Sequence, residues 1–140
     1  MELKTRIEEK LVRSREALEE IDENLPEKFE EFQELGLVKD GIYKKTEFII
    51  QNILDICAIL VKKLKLGIPE DDFDILQKLN KTFDKKTINK IIELRGFRNF
   101  LVHRYGNIDD EIAFEDIETG IKDFEKIFDE IEKVIKTQKI

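Results

Sequence analysis

Cysteine occurs once in this chain, at Cys57, so neither an internal disulfide framework nor a cysteine-based zinc site is open to it. Six glycines and two prolines leave little turn chemistry for an all-β fold, which needs a turn about every ten residues. The longest uninterrupted apolar run, Ile56 to Val61, is six residues long and far short of the roughly 20 that span a bilayer. The start, Met1-Glu2-Leu3-Lys4, carries an acid at once and does not read as a secretion signal. With one histidine there is no pair spaced for a metal, and no glycine-rich phosphate loop is present. What the chain does have is 41% hydrophobic and 41% charged residues over 140 positions, enough for one core and too apolar for disorder. A soluble, cytoplasmic helical domain spanning 1–140, with no membrane segment, is the expectation.

Charge is distributed unevenly. The total of −7 argues against a general nucleic-acid binder. Between Lys78 and Arg104, however, eight Lys and Arg face only Asp84 and Glu93, while from Tyr105 to Glu132 eleven acids face only Lys122 and Lys126. An acidic total therefore leaves room for a local anion site.

Apolar spacing predicts the helices. Leu3, Ile7, Leu11, Leu18, Ile21 and Leu25 recur in steps of three and four, with Ser14 the one lapse, and Pro26 ends that stripe. A link with Phe29, Phe32 and Gly36 follows, with room for a helical turn. From Val38 or Asp40 to Leu66, Ile42, Ile49, Ile50, Ile53, Leu54, Cys57, Leu60, Val61 and Leu64 share one broad arc. Lys44, Gln51, Asp55 and Lys62 fall opposite, and Phe48 with Ile59 forms a separate patch suited to a partner. Gly67-Ile68-Pro69 is the stop. Asp71 or Asp72 caps a short helix to Leu79, and Asp84 caps another running into the His103 region, which Gly106-Asn107 ends. Asp109, Asp110 and Glu111 suit the positive start of a last helix with Phe114, Ile117, Ile121, Phe124, Phe128, Ile131 and Ile135 on one side. The reading is all-α: an up-and-down bundle of about five helices, three long and two short.

Chemistry concentrates between Leu94 and Gly106, which hold the only histidine, three arginines and one of two tyrosines. The three acids at 109–111 cannot all face one ion, so they read as caps, and Cys57 reads as a small core residue. Arg98 lies in the middle of the arc formed by Ile88, Ile91, Leu94, Leu101 and Val102. A guanidinium aimed at an apolar seam needs an anion or a carboxylate, so Arg98 serves either a ligand or a buried pair with an acid of a neighbouring long helix. His103, near a helix C-terminus, is either a cap or a catalytic group, and Tyr105 is accessible.

Arg98, four residues, His103, one residue, Tyr105 make up R-x4-H-x-Y, with the polar Asn99 directly after the arginine. In this pattern, and in a basic helix ending GFRNFLVHRY before an acid-rich last helix, the chain resembles the HepT-like branch of the HEPN superfamily over about residues 1–137. The resemblance implies a homodimeric endoribonuclease that needs no metal or other cofactor and acts as the toxin of a toxin–antitoxin pair. Its partner would be an MntA-type minimal nucleotidyltransferase antitoxin that silences it by adding AMP to Tyr105. Carried over by position, Arg98 and His103 become the catalytic pair and Asn99 a supporting residue. The alternative is a non-catalytic HEPN subunit that docks onto a nucleotidyltransferase and takes up nucleotide. On an ideal helix Arg98 and His103 stand about 140° apart. Either the last turn departs from α geometry or a second copy completes the site, each copy then supplying one histidine.

Overall fold

The computed structural model describes residues 2–103 and 107–140. Among them there is no strand, and six helices follow one another: α1 (Leu3–Asn24), α2 (Phe29–Gln33), α3 (Leu37–Lys63), α4 (Asp72–Lys78), α5 (Lys85–His103) and α6 (Asp110–Thr137). The bundle is thus all-α, as its periodicity predicts, with one helix more than expected. The addition is α2, five residues in the link after Pro26, where Phe32 is fully buried. So short a helix has no stability of its own. Phe32 holds it by packing against Tyr43 of α3 and Phe114 of α6, with ring centroids 5.7 and 5.0 Å away.

At the centre lies α3, which packs against α1, α4 and α5, while α6 closes the bundle against α1, α2 and α5. One hydrophobic core draws side chains from all six helices. The lapse in the α1 stripe is an interhelical bond: Ser14 is fully buried and accepts a 3.0 Å hydrogen bond from Asn52 Nδ2 of α3. Among the described residues no helix is long and apolar enough to cross a membrane.

Helix ends follow local chemistry. Asp71 caps α4 by accepting from Asp74 N–H at 2.8 Å, and Asp109 caps α6 by accepting from the N–H groups of Glu111 and Ile112. The end of α3 comes at Lys63, three residues before the expected Leu66. There Lys65 takes the left-handed conformation (φ 55°), Leu66 N–H bonds Val61 O at 3.0 Å and Lys65 N–H bonds Lys62 O at 3.2 Å. That is a Schellman closure with lysine in glycine's usual place, and Gly67 (φ 111°) makes the next turn. Two apolar assignments change as well. Ile59 is buried, so Phe48 stands without its patch partner, and Val102 is 42% exposed while Phe97 takes the core position. Val102 lies in the last turn of α5, where core cover is thinning, whereas Phe97 stacks on Phe100 at 6.1 Å.

The start of α6 is tied to α3. Asp110 accepts from Tyr43 Oη and from Lys39 Nζ, the latter at 2.8 Å. Burial alone would raise the Asp110 carboxyl, but the bonds from Lys39 and Tyr43 outweigh it and hold it below its ordinary value of 3.8. Burial, with Asp110 facing it, pushes the Tyr43 phenol upward. Because the folded chain holds Asp110 ionised to lower pH than the unfolded chain, the stabilisation is complete above the unfolded value. It is lost as pH falls through the folded one. Urea unfolding at about pH 6 and about pH 3 should therefore show a smaller acid-side loss for Asp110→Asn than for wild type. Equal losses would remove this pair from the acid response.

Candidate functional site

The site is built on α5. Stripe residues Ile88, Ile91, Leu94, Phe97 and Leu101 fasten this helix to the bundle, and Arg98 falls within their arc. Its side chain is 15% exposed. Three partners meet the guanidinium: Nε donates to Asn99 Oδ1 at 3.1 Å, Nη2 to Asp72 Oδ2 at 2.9 Å, and Nη1 to Gln51 Oε1. The carboxylate that Arg98 requires therefore comes from the start of the short α4, rather than from an acid of a long helix, and α3 contributes a neutral amide. A guanidinium has five N–H donors. Three are engaged among the described residues, and phosphate oxygens suit the other two.

Behind Gln51 the network continues. Gln51 Nε2 donates to Asp55 Oδ1 at 2.8 Å, and Lys10 Nζ of α1 lies 3.5 Å from Asp55 Oδ2. One turn before Arg98, Arg95 has a buried Nε with no hydrogen-bond partner among the described residues. Sequence reasoning missed Gln51, Asp55 and Asp72 as neighbours of Arg98. The available signal was the Gln51–Asp55 spacing of four on the polar side of α3, a spacing at which such side chains bond.

His103 is the last residue of α5 and is exposed. The helix keeps α geometry to that point, so Arg98 and His103 point about 140° apart and do not meet within one chain. Asn99 is brought to Arg98. Tyr105 and Gly106 lie outside the described residues, and with them the AMP-acceptor assignment and half of the expected stop. Cys57 is fully buried, its thiol pushed up to about 12 by that burial, and it serves the core. No group of three or more His, Cys, Asp or Glu among the described residues is arranged to hold a metal.

The other flank of α5 is unlike this one. A groove of about 250 Å³ between α5 and α6 is lined by Glu93, Asp116, Asp123, Phe97 and Phe100. Its one cation among the described residues, Lys90, is already paired with Asp123 at 3.0 Å, and burial beside Glu115 and Glu93 raises the Asp116 carboxyl. Such a lining repels phosphate, in contrast to the guanidinium on the Arg98 side.

Comparison with known proteins places the chain in a family. The family described as ribonuclease HepT-like matches residues 14–131. A protein of Archaeoglobus fulgidus named "Putative RNase" is 30% identical over 125 residues, covering 85% of this chain and 88% of its own. Among solved structures, an MntA–HepT toxin–antitoxin mutant superposes with a TM-score of 0.81 at 20% identity, over 92% of this chain and 98% of that one. A tri-AMPylated Shewanella oneidensis HEPN toxin in complex with its MNT antitoxin gives 0.81 at 19% identity, over 91% and 97%. YutE of Bacillus subtilis, a cytosolic protein of unknown function, gives 0.81 at 17%, over 96% and 92%. At these identities the structures speak to the fold, while the matched profile and the archaeal relative speak to ancestry: the chain belongs to the HepT-like ribonuclease family.

Proposed function

We propose that the chain is a metal-independent endoribonuclease toxin whose site is completed by a second copy of itself. The observation that carries this reading is Arg98: a nearly buried guanidinium, held by three partners with two donors uncommitted among the described residues, on the helix that ends at the only histidine. Two α5 helices packed about a two-fold axis would bring two Arg98 and two His103 to one phosphodiester. His103 of one copy takes the proton from the ribose 2′-OH as that oxygen bonds to phosphorus. His103 of the other copy gives a proton to the departing 5′ oxygen as its bond to phosphorus breaks. The Arg98 side chains stabilise the charge developing on the phosphate oxygens, and Asn99 keeps Arg98 Nε in place. The product is a 2′,3′-cyclic phosphate and a free 5′-OH.

By analogy with the toxin–antitoxin complexes of the same fold, the partner is an MntA-type nucleotidyltransferase that adds AMP to Tyr105. A bulky anion there would exclude RNA by size and like charge. The test is a mixed RNA pool in EDTA with purified protein whose Tyr105 is unmodified by mass. Cleavage leaving cyclic phosphate ends is expected, and no cleavage by an intact, unmodified dimer overturns the assignment. One observation favours the alternative of a docking subunit without catalysis: Asp72 already neutralises Arg98, as a purely structural arginine requires. That reading expects antitoxin binding with no RNA cut.

A further inference from the structure

We infer that Gln51 and Asp55 are positioning residues for Arg98, acting as a one-way hydrogen-bond relay from α3. The inference rests on the ribonuclease reading for its effect on rate, although its geometry does not.

A glutamine amide has two ends and can turn either one to a neighbour. Beside a guanidinium only the oxygen end is useful, because an NH2 group facing N–H donors leaves both unpaired. Nothing in Gln51 itself selects that orientation. Asp55 does: an ionised carboxylate can only accept, so it draws Gln51 Nε2 at 2.8 Å and turns Gln51 Oε1 to Arg98 Nη1. Lys10 Nζ of α1 stands 3.5 Å from the second Asp55 oxygen and pairs with the carboxylate from its far side. Both residues stand on α3, the central helix of the bundle, so the guanidinium is aligned from a rigid element. Asp72 supplies charge balance from a seven-residue helix, and Asn99 holds the inner nitrogen. Gln51 therefore fixes the plane of the guanidinium without adding a negative charge that would repel phosphate.

The test compares Gln51→Leu, Asp55→Asn and the double variant Gln51→Glu/Asp55→Asn. The double variant reverses the direction of the relay: the asparagine amide donates to a carboxylate at 51, whose other oxygen still accepts from Arg98. Two readouts are followed, kcat and KM for RNA cleavage and the side-chain Nε–Hε signal of Arg98 in 15N NMR. Gln51→Leu is expected to lower kcat about 10- to 100-fold, more than it raises KM, and to broaden the Arg98 signal. Asp55→Asn should do the same to a smaller degree, and the double variant should recover the Arg98 signal while its kcat stays low, because the carboxylate at 51 repels the phosphate. Gln51→Leu with unchanged kcat and an unchanged Arg98 signal overturns the relay, as does a double variant whose Arg98 signal is no sharper than that of Gln51→Leu. If wild type itself cuts no RNA, the ribonuclease reading falls separately, and the Arg98 signal alone decides whether the relay orders the guanidinium.

Discussion

His103→Ala is expected to reduce RNA cleavage by about 10²- to 10⁴-fold, the range that a positioned proton-transfer group supplies. Stability should hardly move, because His103 is exposed at the last position of α5 and no core side chain rests on it. A site shared by two copies adds a stricter test. If each reaction needs one histidine as base and the other as acid, a dimer with a single His103→Ala chain is inactive. At equal total protein, wild type freely exchanged with an equal amount of the variant should then show about one quarter of the activity of wild type alone, the statistical share of unmixed wild-type dimers. Retention of about one half would place all the chemistry within one chain. That outcome conflicts with the 140° between Arg98 and His103 on an uninterrupted helix. Intact antitoxin binding by a variant and a wild type that are equally unable to cut RNA would favour the docking-subunit reading.

Phe32→Ala should be the most damaging single change to the fold, with an expected loss of about 3–5 kcal/mol. The ring is fully buried between Tyr43 and Phe114, so truncation opens a cavity where α2, α3 and α6 meet. It also removes the one buried residue of α2, and a five-residue helix without that anchor has no reason to persist. Urea unfolding is the measurement: at a slope of about 1–3 kcal/mol per molar, the midpoint should fall by at least about 1 M. Val12→Ala, at a position 56% exposed, is the control and should stay within about 0.5 kcal/mol. A Phe32→Ala midpoint close to that control would mean that α2 contributes little to the core.

Much of the molecule is legible from residue spacing alone. The stripes of α1, α3 and α6 and the caps Asp71 and Asp109 follow from local rules acting within a few residues, whereas α3 stops three residues before the glycine-proline signal places its end. Arg98 is readable as a cation on an apolar arc that needs an anionic partner, because a helical wheel is also local. Wheels and spacings are silent on what stands across from a residue. That Asp72 rather than an acid of a long helix meets Arg98, that Gln51 and Asp55 turn the polar side of α3 toward it, and that Ile59 is covered while Val102 is not were decided by helix packing. So was α2, whose stripe of Phe29, Phe32 and Leu35 is too short to hold a helix by itself and whose Phe32 finds its partners 11 and 82 positions further along the chain. Local backbone preference is written into neighbouring residues, and the sequence by itself therefore determined the helices and the cation-bearing motif. Contacts between helices depend on their rotation and depth of packing, so only the tertiary structure decided how Arg98 is held.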